Sequence, residues 1–216
     1  MRGDSTIALN SFVKASNTAL IVVDMQEAFV GKDASVQVPN RNAIIDANFR
    51  LIKLIRGLKI PIVWTQVYLD KWNYSVYSEL WPEHFNGDRI RVLSKDNMDS
   101  KIVDKLLKEI SREDLIIPKH RYSAFYNPEL KKWLITNHIE NILFSGVTTN
   151  VCVESTIRDA FQLGFRPFLI SDATGTFSEE LQKAAETIIG FVFGYIISID
   201  DIEKQFGSNL YNIAST

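Results

Sequence analysis

Cysteine is nearly absent from this chain: among 216 residues only Cys152 carries a thiol. An internal disulfide is therefore excluded, and the lone thiol is structural, reactive or both. Net charge is equally scarce. Twenty-four Lys and Arg stand against twenty-six Asp and Glu, a formal charge of -2, so no broad basic field exists to hold phosphate backbones. A nucleic-acid partner is not expected; a small-molecule substrate is. Histidine occurs three times, and His84, His120 and His138 have no spacing that sets two of them with a carboxylate on one face, so no metal is expected and all three read as ordinary surface histidines. Gly146 and Gly164 do not make a phosphate-binding fingerprint, which leaves no signal for a nucleotide, and no cofactor is expected. Met1 to Asn17 holds Arg2, Asp4, Ser5 and Asn10 and lacks the apolar run of a secretory signal or a membrane span. The expectation is a cytoplasmic protein with no membrane partner. No internal repeat, low-complexity tract or Gly/Ser linker interrupts residues 1–216, which are expected to form one domain.

Hydrophobic residues make up 46% of the chain, enough for a substantial core. Short β-branched runs alternate with longer amphipathic ones, the pattern of parallel strands covered by helices on both faces. Ala19–Val23, Ile60–Trp64, Leu115–Ile117, Asn141–Ser145, Pro167–Ile170 and Phe193–Ile197 read as strands. Ile44, Ile45, Phe49, Leu51, Ile52 and Ile55 have the spacing of a helix packed on a sheet, ended by Gly57. The fold class is thus α/β: a three-layer α/β/α, doubly wound, six-stranded, mostly parallel sheet. Residues 68–97 lack clear periodicity and read as a long excursion, a candidate pocket wall or lid. Ser178, ahead of Glu179 and Glu180, reads as a helix cap.

In open parallel sheets ligands bind beyond the carboxyl ends of the strands. Asp24 follows the first strand, Lys119 the third, and Cys152 the fourth, at the opening of a helix. Backbone N–H groups at a helix start favour thiolate, and an ammonium beside the thiol favours it further. A carboxylate there could accept the thiol proton. Backbone amides of the Gly146–Cys152 turn could hold the negative charge that develops on an attacked carbonyl. The competing readings are a buried structural thiol, a capping Asp24 and a solvated Lys119. The polar and aromatic stretch from Lys119 to Tyr126 suits a pocket floor for planar polar groups, and equally a structural loop.

Three segments carry a resemblance: Ala19-Leu-Ile-Val-Val-Asp-Met-Gln-Glu-Ala-Phe29, Pro118-Lys-His-Arg-Tyr-Ser-Ala-Phe-Tyr-Asn127, and Ser145-Gly-Val-Thr-Thr-Asn-Val-Cys-Val-Glu-Ser-Thr-Ile-Arg-Asp-Ala160. At these residues, and over nearly its whole length, the chain resembles the isochorismatase-like cysteine hydrolases. The resemblance implies a Rossmann-like strand order 3-2-1-4-5-6 and a catalytic triad of Asp24, Lys119 and Cys152. It also implies a cis Val147–Thr148 bond, an oxyanion hole from the amides of Thr148 and Cys152, and a homo-oligomer, dimer or tetramer. Phe29, Gln66 and Tyr122 are placed in the pocket by strand-end position and family pattern.

Within the superfamily the wording is nearest to ureidoacrylate amidohydrolases, which implies cleavage of a C–N bond in a small ureido or amide substrate through a covalent Cys152 intermediate. Nicotinamidases carry an Asp-x-His pair and a further His after the second strand, whereas Thr65-Gln-Val-Tyr-Leu-Asp70 has none. Members acting on isochorismate usually lack the cysteine. Nicotinamidase, isochorismatase and a non-catalytic binding module remain the alternatives.

Overall fold

The computed structural model describes residues 5–69, 74–86, 89–90 and 92–213. Six strands build the main sheet: β1 (Thr18–Val23), β2 (Ile62–Val67), β3 (Leu115–Lys119), β4 (Asn141–Val147), β5 (Arg166–Gly175) and β6 (Tyr195–Ile197). Their order is β3-β2-β1-β4-β5-β6, and every neighbouring pair runs parallel. The sheet expected to be mostly parallel is therefore parallel throughout. A separate antiparallel ribbon pairs Phe85–Asn86 with Arg89–Ile90.

Strand pleating assigns the two core layers. In β1, Leu20 and Val22 enter one apolar cluster while Ala19, Ile21 and Val23 enter the other; in β2, Ile62 and Trp64 separate from Val63 in the same way. Both faces of the sheet are covered, so β1 reads as a continuous apolar run. Helix α1 (Ser5–Phe12) precedes the sheet, and α2 (Arg41–Gly57) buries Ile44, Ile45, Leu51, Ile52 and Ile55 on one stripe. In α2 the buried Asn48 amide donates to Ala173 O, 2.8 Å away, and pins the helix to β5. Helices α3 (Tyr74–Leu80), α4 (Pro128–Thr136), α5 (Glu154–Gln162), α6 (Glu179–Ile188) and α7 (Ile199–Ile213) follow. Asn127 caps α4 ahead of Pro128, and Ser178 accepts from Leu181 N at the start of α6. No described helix is long and apolar enough to cross a membrane.

Several boundaries move for local reasons. β2 begins at Ile62 because Lys59 is left-handed (φ 57°), Ile60 N turns back to Ile55 O, and Pro61 has no N–H to give. β6 begins at Tyr195 because Phe193 closes a π-helical turn, Ile189–Phe193, that prolongs α6. β3, β4 and β5 each run beyond their apolar stretch, to Lys119, Val147 and Gly175. Among the described residues, the excursion from Tyr68 contains α3, a 3-10 turn at Pro82–His84 and the ribbon; residues 70–73, 87–88 and 91 lie outside the described residues.

Candidate active site

Three strand ends meet at one edge of the sheet. β1 lies between β2 and β4, and β2 carries β3 on its other side. Asp24 follows β1 directly in a left-handed conformation (φ 47°) that Asp tolerates better than most residues. Lys119 ends β3 opposite Val67. Beyond β4 the Val147–Thr148 peptide is cis, and Cys152 lies in a π-helical turn, Thr149–Val153, that runs into α5. Gly146 makes this approach possible. It pairs with Val23 at φ 100°, and a Cβ there would stand 2.0 Å from Val23 O.

The three side chains come together in the interior. Lys119 Nζ lies 2.7 Å from Asp24 Oδ2 and 3.4 Å from Cys152 Sγ, and donates to Arg121 O at 3.0 Å. Three acceptor atoms thus surround the ammonium. The Asp24–Lys119 contact is ionic rather than a directed hydrogen bond. Thr65 completes the cluster: its Oγ1 donates to Asp24 Oδ1 at 2.6 Å and accepts from Asp24 N at 3.2 Å.

Burial sets the charge state of the sulfur. Desolvation pushes the Cys152 thiol up to about 12; Lys119 pulls it down, and the Asp24 carboxylate adds to the rise. The sulfur does lie in a helical turn that runs into α5, but the loss of water around it works against the thiolate that such a position favours. For Lys119, burial acts downward, but Asp24 and the sulfur outweigh it and hold the ammonium above its ordinary range.

Above Cys152 opens a cavity of about 100 Å³. Thr148, Val151 and Cys152 form one side; Phe29, Val67 and Tyr122 continue it; Leu69, Tyr77, Trp81 and His84 come from the excursion, which is thus a pocket wall. Tyr77 meets Tyr122 edge-on with ring centroids 5.4 Å apart, and Trp81 stacks on His84 at 5.7 Å. Burial raises the Tyr77 hydroxyl above its ordinary value, so it is a donor at neutral pH. A larger cavity of about 590 Å³ lies by Phe161, Pro167 and Phe191 and contains none of these reactive groups. The chemistry singles out the smaller one.

Asp24, Lys119 and Cys152 are thus in contact, and Phe29, Tyr122 and Thr148 line the cavity. Gln66 does not line it: β2 alternates, Thr65 faces Asp24, and the Gln66 amide donates to Ser100 O at 3.2 Å. His84, expected to be an ordinary surface histidine, is half-buried against Trp81 and lines the cavity. Among the described residues no group of three or more His, Cys, Asp or Glu could hold a metal ion. Sequence reasoning missed Thr65, although its parity in β2 beside Asp24 was a usable signal. It also missed Tyr77 and Trp81, whose segment has no periodicity to read.

The sequence pattern of the isochorismatase domain matches residues 18–201. The chain belongs to the isochorismatase family. Among individual relatives of this isochorismatase-family hydrolase, a ureidoacrylate amidohydrolase of Stutzerimonas stutzeri is 30% identical over 213 residues, covering 91% of this chain and 85% of that protein. A nicotinamidase of Arabidopsis thaliana is 31% identical, over 88% of this chain and 89% of that one. Among solved structures, a cysteine hydrolase from Pseudomonas syringae pv. phaseolicola superposes with a TM-score of 0.80 at 24% identity, covering 91% of this chain and 95% of that one. That likeness shows the shared fold.

Proposed function

We propose that this hydrolase cleaves a C–N bond, other than a peptide bond, in a small ureido or amide substrate, with Cys152 as covalent nucleophile. The observation that carries this reading is the position of Lys119 Nζ in contact with both Asp24 Oδ2 and Cys152 Sγ, with Cys152 lining the cavity. A thiol held neutral until substrate arrives needs a base in the attacking step, and Asp24 is the adjacent carboxylate. Sγ bonds to the carbonyl carbon as the thiol proton passes to Asp24. The amides of Thr148 and Cys152 take up the charge on oxygen. The C–N bond then breaks, and the departing nitrogen takes the proton from Asp24. Water, deprotonated by Asp24, attacks the acyl carbon; the C–S bond breaks and the sulfur recovers its proton. Lys119 stays an ammonium throughout and holds Asp24 ionised before each proton it accepts.

The ureidoacrylate amidohydrolase relatives support an N-carbamoyl compound of the ureidoacrylate type as the first substrate to test. A second reading, a flat aromatic carboxamide, is favoured by the stacked Trp81–His84 pair on the wall and by the nicotinamidase relative. The experiment compares wild type with Cys152→Ala on N-carbamoyl compounds, biuret and nicotinamide, with and without chelator. Turnover by wild type, none by the variant and indifference to chelator are expected; equal turnover by the variant removes the mechanism.

A further inference from the structure

We propose that Thr65 is a positioning residue of the reaction: its hydroxyl fixes the Asp24 carboxylate so that Oδ2, rather than Oδ1, receives the Cys152 proton. The inference rests on the cysteine-hydrolase reading above and adds to it a residue outside the triad.

The direction of both hydrogen bonds is forced. Asp24 N–H can only donate, so Thr65 Oγ1 accepts from it, and the single hydroxyl proton is left for Asp24 Oδ1, 2.6 Å away. Oδ1 is thereby occupied, and Oδ2 is left to Lys119 Nζ at 2.7 Å, the same ammonium that lies 3.4 Å from the sulfur. Without that bond the carboxylate torsion is broad and two-fold, and the two oxygens are free to exchange or to tilt off the sulfur. The residue type fits such a role, because Thr65 is fully buried, β-branched and stiff at χ1, and held on a central strand opposite Ile117.

Packing alone does not account for the hydroxyl, since valine would fill the same space on a strand. The neighbouring clamp shows the difference. Gln26 is equally buried, but its amide binds only main-chain groups, Val67 N and O and Ser100 O, and ties β1 to β2. Thr65 makes the corresponding tie one pleat earlier and directs it at the carboxylate. Thr65 does not line the cavity, so its loss acts on the chemical step and leaves substrate binding alone.

The test compares wild type with Thr65→Val and Thr65→Ser on a substrate that wild type hydrolyses, with Cys152→Ala run alongside. Loss of one hydrogen bond to a charged group lowers kcat of Thr65→Val by about 10- to 100-fold with KM within about twofold, and Thr65→Ser recovers to within about threefold of wild type. If the valine chain fails to fold, Thr65→Ser against Thr65→Ala carries the same contrast. Iodoacetamide alkylation of Cys152, which displaces iodide and cleaves no C–N bond, reads the same positioning independently of turnover, and slows in Thr65→Val but not in Thr65→Ser. Wild-type kcat in a folded Thr65→Val beside an inactive Cys152→Ala overturns the positioning role alone. A serine variant as impaired as valine, or a rise in KM at unchanged kcat, also overturns it. An active Cys152→Ala overturns the hydrolase reading and takes this role with it.

Discussion

Thr156 ties the turn carrying Cys152 to the loop that follows Lys119: its hydroxyl donates to Cys152 O at 2.7 Å and accepts from Ala124 N at 3.2 Å. One buried hydroxyl thus sets the spacing between two of the three reactive elements. Thr156→Val keeps the shape but leaves the buried Ala124 amide without its acceptor. A loss of about 1–3 kcal/mol in stability is expected from urea unfolding, with kcat reduced and Thr156→Ser close to wild type. An unchanged midpoint and an unchanged kcat together would sink this view of the loop.

The buried Asp24–Lys119 pair makes a sharper contrast available. Lys119→Met removes the cation in contact with a carboxylate that has no exposure to solvent. The unpaired charge is expected to cost about 3–5 kcal/mol of stability, whereas Asp24→Asn combined with Lys119→Met is expected to recover much of it. Chemical denaturation of Lys119→Met, Asp24→Asn and the double variant decides. A double variant as unstable as the sum of its singles contradicts the coupling.

The Cys152 thiol is raised from its ordinary value near 9 to about 12, and the sign of the consequence follows. The fold holds the neutral thiol, so its contribution is complete below about pH 9 and is lost as pH rises toward about 12. Lys119, also raised, adds an alkaline loss of the same sign. Wild type is therefore expected to lose stability more steeply than Cys152→Ala across that window. In the absence of substrate, alkylation of Cys152 at pH 7.5 is expected to run at least about tenfold slower than that of a free thiol. A rate equal to that of a free thiol, in a protein inert to N-carbamoyl compounds, biuret and nicotinamide, would instead favour the non-catalytic module.

Gly146→Ala tests the approach of β4 to β1. The added methyl would meet Val23 O at 2.0 Å on a backbone at φ 100°. Soluble yield and Tm are expected to fall severely, because neither the backbone oxygen nor the conformation can yield cheaply. A variant with wild-type Tm would show that the strand ends are looser than described.

The alternation of strands and helices, the helical stripes and the three strand-end residues were legible because each leaves a periodic or positional mark, whereas the strand order came with the family resemblance. Ile44 to Ile55 repeats at helical spacing, and Asp24, Lys119 and Cys152 each follow an apolar run. What stayed hidden depends on contacts across the sequence. The place of the thiol after a strand favours a thiolate, yet burial, which no local pattern reports, works against that charge state. Gln66 and Thr65 are adjacent, and only the register of β2 on β1 tells which one faces Asp24. Tyr77, Trp81 and His84 line the cavity from a stretch without periodic pattern, so no repeat announced them. Strand ends moved where a backbone group turned away, as at Lys59 and Pro61, or where a helix continued as a π-helical turn, as before Tyr195.

The most direct test of covalent attack is the mass of the enzyme quenched during turnover of an N-carbamoyl or amide substrate. If Cys152 is the nucleophile, the intact mass rises by the acyl group alone, digestion places that increment on the peptide containing Cys152, and Cys152→Ala never acquires it. Steady turnover with an unmodified Cys152 peptide at every quench time, matched by full activity of Cys152→Ala, would contradict it.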